Sequence, residues 1–437
     1  MKVTREKIEN SQAFLTIEME PAEVEKSLAE AYRRLVKKTN IPGFRKGKAP
    51  REVLERYLGK ESFMEDALSH LVPQAYEQAL KEQQIEAIAQ PHIELIQTDP
   101  VIFKATVPLM PVVKLGDYHH IQVAPEPVEV TDDRVDAVIE RLRHQNATWE
   151  PVDRAADFGD LVVLDIESHV GGEPFINQKG AQYQLVRDST YPVPGFSHQL
   201  AGMKKGEEKE FKLQLPADFP EKLREKEASF KVRVAEIKEE ILPELNDEFA
   251  RQLGPELKTV AALKEEVATN LKLRAEEKAR MDFEEKVIDA VVDQAQVEFP
   301  PILVEAEIHR LIDEQSRRFQ IQGGSLEEYL ESTNKTEEQL HEELYPIAVR
   351  RVTRSLVLGK VAEEEKIEVE ESEIDAEIEN MVSNAGENKE ALWRALGSPR
   401  SRESIRQILL TRKTINRLVE IAKDANMHAG ARKEEEK

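Results

Sequence analysis

The run Gly43-Phe44-Arg45-Lys46-Gly47-Lys48 places three cations and one aromatic ring around a pair of glycines. Glycine tolerates the backbone of a tight, exposed turn, so the spacing predicts guanidinium and ammonium groups at an apex with Phe44 beside them. Such a tip can grip phosphates or acidic side chains and insert one ring as an anchor. Its surroundings are basic as well. Residues 33–60 hold ten basic side chains (Arg33, Arg34, Lys37, Lys38, Arg45, Lys46, Lys48, Arg51, Arg56, Lys60) against Glu52 and Glu55, on a chain of 437 residues whose net charge is −23. Residues 1–112 are almost balanced, with 16 basic and 17 acidic side chains, so the negative excess lies downstream. That excess weighs against general nucleic-acid binding and leaves one basic patch on an acidic protein.

Other chemistry finds little support. The chain has no cysteine, which excludes disulfides and thiolate metal sites. His119-His120 adjoin in a stretch read as extended, where neighbouring side chains point to opposite faces, so no metal site is expected. No Gly-rich loop ends in the Lys-Ser/Thr pair of a nucleotide-binding P-loop, which predicts ATP-independent action and no cofactor. Met1-Lys2-Val3-Thr4-Arg5-Glu6 mixes charges without an apolar core of signal-peptide length, and no run is long enough to span a bilayer. The expected location is therefore cytoplasmic, without membrane contact.

The elements that must hold the loop follow from periodicity. A chain of this length suggests about three domains, and 34% charged residues with 5% aromatics favour helices with solvated faces. Phe14 to Met19 alternates as a strand. Val24, Leu28, Ala31, Tyr32 and Leu35 recur at helical spacing over about Ala22 to Lys38, and Asn40-Ile41-Pro42-Gly43 stops that helix. A second helix resumes after Pro50, another apolar-periodic stretch spans Phe63 to Lys81, and Ile93–Ile96 and Val101–Val107 read as strands. Residues 1–112 thus form an α+β module with the basic loop between two helices.

Residues 113–150 read as a connector: an extended piece, Val123-Ala124-Pro125-Glu126-Pro127, then a helix from near Thr131 to near Trp149. Residues 151–242 are β-rich, with alternating segments at Leu161–Ile166, Glu210–Leu215 and Phe230–Ala235. Beyond Pro243 the pattern is almost wholly helical, broken at Gly254-Pro255, Phe299-Pro300-Pro301, Gly323-Gly324 and Gly397-Ser398-Pro399, and ending in a frayed polar tail over 431–437. Val304, Ile308, Leu311 and Ile312 mark one apolar face. Ile347, Val349, Val352, Leu356, Val357 and Leu358 mark a broader one, and both are read as helix-on-helix core. Glu129 to Glu140 is echoed by Glu368 to Glu379, taken as repeated helix-start chemistry rather than a true repeat.

The complete string Gly43 to Pro50, with Ala49 its one departure, resembles the ribosome-binding signature of bacterial trigger factors. The order and lengths of the segments match that family along nearly the whole chain: an N-terminal α+β ribosome-binding domain (1–112), a linker of strand plus helix (113–150), an FKBP-like antiparallel β domain with a helix (151–242), and an all-α C-terminal chaperone domain with two arms (243–437). The fold class expected is α+β multidomain. The resemblance implies that Gly43, Phe44, Arg45, Lys46, Gly47 and Lys48 dock on large-subunit protein and RNA beside the ribosomal exit tunnel. It also implies that nascent and unfolded polypeptides are the clients, met by Met and aliphatic residues on the inner face of the arms, and it allows a homodimer off the ribosome.

An FKBP-like domain isomerises X-Pro bonds by enclosing the proline in an apolar basin and twisting the amide, with no covalent step. Phe158-Gly159-Asp160, Gly171–Phe175, Val193-Pro194-Gly195-Phe196 and Gly202–Glu207 are similar to that family's turns and pocket walls. Matching positions imply Phe175, Val193, Phe196, Phe219 and Phe230 as the basin. Ile166 and Ile176 stand where the family commonly has an aromatic and an acidic residue, which predicts a measurable but reduced rate. The competing reading, a free prolyl isomerase whose helical body only recruits substrate, calls for an intact basin, which Ile166 interrupts. An RNA-binding factor would use the same patch but would need an aromatic-interleaved sheet or a second basic surface.

Overall fold

In the computed structural model, strand alternation in the first hundred residues becomes one buried sheet face. The structure describes residues 1–216, 219, 223–224, 226–321, 323–333, 335–383 and 388–435, with backbone alone at 332 and 427–435. Strands β1 (Lys2–Glu9), β2 (Gln12–Glu18), β3 (His92–Thr98) and β4 (Val101–Pro108) pair antiparallel in the order β1-β2-β4-β3. Between β2 and β3 the chain forms helices α1 (Pro21–Lys38), α2 (Arg51–Leu58) and α3 (Lys60–Gln83). Ala13, Leu15 and Ile17 of β2 and Phe103, Ala105 and Val107 of β4 meet Leu71, Ala75 and Ala79 of α3. A capping box between Glu20 and Glu23, with proline in the first turn, starts α1.

A second core lies under the basic loop. Ala31 and Val36 of α1, Leu54 of α2 and Phe63 and Ala67 of α3 enclose Ile41 and Ala49, the residues on either side of the loop tip. Ala49 is 2% exposed, so the small residue is one the site requires.

A compact unit comprises Met1–Ala124 with Phe283–Lys437, and a second comprises Pro125–Asp282. In the second, α4 (Asp132–Gln145) precedes β6 (Thr148–Pro151), β7 (Leu161–Val170), β8 (Glu173–Gln184), α5 (Phe196–Leu200), β9 (Glu208–Gln214) and β10 (Glu227–Ile241). The strands form one antiparallel sheet, β6-β10-β7-β8, with β9 also on β10. The chain continues through α6 (Asp247–Leu253) into α7 (Val260–Gln294). A separate helical core joins Val135 and Ile139 of α4, Phe249 of α6 and Leu263 and Val267 of α7.

In the first unit, β5 (Val112–Lys114) pairs with β11 (Gln296–Glu298), and α8 (Pro301–Ile321), α9 (Leu326–Thr333), α10 (Glu337–Glu364), α11 (Glu371–Val382), α12 (Lys389–Leu396) and α13 (Pro399–Glu435) follow. Val304, Ile308 and Leu311 of α8 pack on Leu340, Leu344 and Ala348 of α10, while Ile374 and Ile378 of α11 pack on Ile405 and Leu409 of α13. Residues 113–123 are strapped across α10, α13 and the end of α7 through Tyr118 and Ile121. Gly116 fits there because a Cβ would come within 2.7 Å of Gln294 Cβ. Tyr118 donates a hydrogen bond to Glu365 at 2.9 Å, Arg417 Nε donates to the same carboxylate at 2.9 Å, and Asn426 donates to the Val123 carbonyl.

Several sequence expectations need correction. The helix expected to reach Trp149 ends at Gln145, and Trp149 instead lies in β6 opposite Glu240. The connector's extended piece, 123–127, forms no strand, and the strand near its start is β5. His119-His120 occupy a 3-10 turn over Tyr118–His120, because the Asp117 carbonyl and carboxylate both bind His120. The stretch beyond Pro243 contains β11. The expected frayed tail is helical backbone to Glu435, and 436–437 fall outside the described residues. Strands β1 and β8 were not anticipated: β1 is exposed along most of its length, and β8 is broken by register shifts. Ile347 is exposed rather than core. Both echoed segments do start helices, α4 and α11.

Two consequences can be measured. Arg417 holds the Glu365 carboxylate below its ordinary value of 4.5, outweighing burial, with Tyr118 assisting. A depressed carboxylate adds stability above the unfolded-state pKa and loses it as pH falls through the folded one. Glu365→Gln should therefore cost about 1–3 kcal/mol at neutral pH, and the gap in urea midpoint should narrow as pH falls below the ordinary value of 4.5 and close once it has passed the lower folded-state value. Ala49→Leu should overpack the core beneath the loop by about 1–3 kcal/mol. Exchange of the Gly47 amide, which donates to the Val36 carbonyl at 3.0 Å, should then quicken about five- to a hundredfold.

Candidate functional site

The loop between α1 and α2 is pinned at its base and free at its tip. Gly43 and Gly47 adopt φ of +88° and +82°, the left-handed region that favours glycine. The Phe44 amide donates to the Ile41 carbonyl at 3.1 Å, Lys48 to Arg45 at 3.0 Å, and Tyr32 Oη to the Ala49 carbonyl at 2.8 Å. Between these ties Phe44, Arg45, Lys46 and Lys48 face solvent, with Phe44 40% exposed.

Charge sorts the same way. Arg34 pairs with Asp66 at 2.8 Å, and Arg51 binds Glu25 and Glu55 while lying over the Phe63 ring. Those two arginines brace the helices. Among the described residues, Arg45, Lys46, Lys48, Arg33, Lys37 and Lys38 have no carboxylate partner. The tip can therefore offer whole cations and a ring to an anionic surface without first breaking internal pairs.

The second candidate site lies in the antiparallel sheet beside α5. Phe196 sits at its centre, with ring centroids 5.2 Å from Tyr183, 5.3 Å from Phe230 and 5.6 Å from Phe211. The Tyr183 hydroxyl donates to the Tyr191 carbonyl at 2.7 Å and lies 2.7 Å from Ser197 Oγ, which ties α5 to β8. Val193, Phe196 and Phe230 are fully buried. Phe175 and Phe219 form a half-buried pair 6.3 Å apart that packs against the same core. The five positions picked from sequence thus separate into a floor of three and an accessible pair, all in one cluster.

Phe211, Tyr183 and Tyr191 also belong to the aromatic array and were missed by the sequence reading. Phe211 sits at an inward position of the alternating strand β9, a signal that was there to be read, whereas Tyr183 lies on β8, whose alternation is broken by register shifts. Tyr191 is 71% exposed and stacks on Tyr183, which only the fold of the Pro192–Pro194 turn arranges. Ile166 is buried on β7 and Ile176 is half-buried beside Phe175. Arg154 clamps the buried Asp160 carboxylate with two bonds of 2.6 and 2.8 Å, fixing the turn that leads into β7.

The helical body carries a third kind of surface. Ile302, Tyr345, Ile347, Met381, Leu392, Trp393 and Ile408 are each more than a third exposed, spread over α8 and α10–α13. Among the described residues there is no cluster suited to a metal ion, and no helix is long and apolar enough to cross a membrane.

Three segments of the chain match known family models. Residues 1–142 match the family model described as bacterial trigger factor protein, and residues 259–420 match that of its C-terminus. Residues 152–235 match FKBP-type peptidyl-prolyl cis-trans isomerase. A protein named Trigger factor from Dehalococcoides mccartyi is 40% identical over 100% of this chain and 98% of its own. Its namesake from Moorella thermoacetica is 38% identical over 97% of this chain and 95% of its own. A solved trigger factor chaperone structure, reported for promiscuous substrate recognition in folding and assembly, superposes with a TM-score of 0.51 at 25% identity, covering 96% of this chain and 99% of that one. The chain belongs to the bacterial trigger factor family, chaperones that carry an FKBP-type peptidyl-prolyl isomerase domain.

Proposed function

We propose that this chaperone docks on the ribosome through Gly43, Phe44, Arg45, Lys46, Gly47 and Lys48, and shelters polypeptides as they leave the exit tunnel. The observation that carries this reading is the loop itself: exposed, unpaired cations and an exposed ring on a base held by Ile41, Ala49 and Tyr32. Large-subunit RNA and acidic protein side chains are the complementary surface. Working as a cytosolic, partly ribosome-associated protein, it uses 1–112 for docking, 113–150 as linker, 151–242 for isomerisation and 243–437 for client binding. Off the ribosome it self-associates as a homodimer.

The isomerase activity follows from the aromatic array. Val193, Phe196 and Phe230 form the floor, while Phe175 and Phe219 close on a proline ring from the accessible side. Moving an X-Pro amide from water into an apolar site favours the twisted, less polar amide, so the barrier of about 18–20 kcal/mol falls without a covalent step. Ile166 and Ile176 in place of an aromatic and an acid reduce the rate.

Wild-type protein should pellet with ribosomes, and Phe44→Ala/Arg45→Ala/Lys46→Ala should stay in the supernatant; equal pelleting would remove the docking reading. Raising salt from about 50 to about 200 mM should weaken wild-type pelleting, because it screens Arg45, Lys46 and Lys48. In a protease-coupled proline-peptide assay at high enzyme concentration, Phe175→Ala should lower kcat/KM about tenfold with the melting temperature little changed. Phe196→Ala should cost about 3–5 kcal/mol of stability. A wild-type rate equal to the uncatalysed one would sink the isomerase reading.

A further inference from the structure

Along β7 the inward positions Val162, Leu164, Ile166, Ser168 and Val170 are all buried, and Ser168 alone among them is polar. It is 1% exposed beside a core of aliphatic and aromatic side chains, where a hydroxyl needs a partner. That partner is the backbone of Ile176 on β8. Ser168 Oγ accepts from the Ile176 amide at 2.8 Å and donates to the Ile176 carbonyl at 3.4 Å. The contact falls at a break in the ladder: Ser168 lies opposite Ile176 and His169 opposite Pro174, which leaves Phe175 as the extra residue of a β-bulge. Successive residues of a regular strand point to opposite faces, yet Phe175 and Ile176 both pack against the core of this sheet. Without the extra residue only one of them could. The bulge thereby brings the Phe175 ring to 6.3 Å from that of Phe219.

We propose that Ser168 is a positioning residue of the isomerase: its hydroxyl holds the bulge that aims Phe175 across the basin toward Phe219, where the ring meets the proline of the peptide. The inference rests on the isomerase reading and names how one wall of that basin is held. Ser168 touches no substrate and acts through the Ile176 backbone. The extra residue of a bulge is left unpaired, so Phe175 takes its direction from its neighbours, and the hydroxyl grips both backbone groups of the next one. Direction matters for rate, since misplacing a group by about 1 Å can cost about a hundredfold. Ser168→Ala removes both bonds and leaves a methyl in the same aliphatic row, so the core keeps its packing while the wall loses its tie.

A double-mutant cycle on the full-length protein tests this, with protease-coupled isomerisation of a Leu-Pro peptide as the readout and near-ultraviolet circular dichroism reporting that each variant's aromatic core is folded. Ser168→Ala should lower kcat/KM about three- to tenfold, and Ser168→Thr, which keeps the hydroxyl, should stay within about twofold of wild type. In a Phe175→Ala background Ser168→Ala should change kcat/KM by less than about twofold, because the ring it positions is gone. A merely loosened core would cost the same factor in both backgrounds, and that result overturns the inference. So does Ser168→Ala at the rate of an active wild type, or Ser168→Thr as slow as Ser168→Ala. If Ser168→Ala does not fold, Ser168→Cys, close in volume but a weak acceptor, replaces it in the cycle with the same expected outcomes. A wild type at the uncatalysed rate would instead strike the isomerase reading, and this inference with it.

Discussion

Tyr118 and Glu365 are separated by 247 residues, and the hydrogen bond between them closes one of the two units of this protein. That unit is assembled from both ends of the chain, so its helices cannot be completed by local contacts. Closure depends on residues 113–123 lying flat against the helical body, which needs Gly116 without a Cβ, the short pairing of β5 with β11, and a carboxylate that both Tyr118 and Arg417 can use. A half-buried carboxylate with one donor removed would lose a charge-assisted bond, so the three groups act together.

Charge is handled by the same economy throughout. With 34% charged residues, most ionic groups sit on solvated helix faces, and many pair across helices, as Arg402 does with Glu371 and Asp375 between α13 and α11. Such exposed pairs contribute little singly and serve to set which helices meet. Against that background, unpaired cations stand out. Among the described residues the loop over 43–48 leaves Arg45, Lys46 and Lys48 without a carboxylate partner, while Arg34 and Arg51 pair with Asp66, Glu25 and Glu55.

In the isomerase domain the same side-chain type does two jobs. Phe196 and Phe230 are spent on the core of a small sheet, whereas Phe175 and Phe219 keep part of their surface open. A small domain must build a rigid floor before it can present a rim, and the hydroxyl bonds of Tyr183 make that floor specific.

Much of this was legible in the sequence. Turn chemistry and helical spacing placed the basic loop between two helices, and proline and glycine marked the breaks at 254–255, 299–301, 323–324 and 397–399, because these are local properties of the backbone. Strands of three residues such as β5 and β11, and the exposed β1, left no periodic signal, since nothing in them alternates against a core. A list of basin residues could be drawn from matching positions, yet whether Phe196 or Phe175 keeps an open face depends on what α5 and β8 bring against each. The sequence by itself determined the charged loop, the helices and their breaks. Tertiary structure alone decided which cations stay unpaired and which rings remain accessible, because both depend on partners distant in the chain.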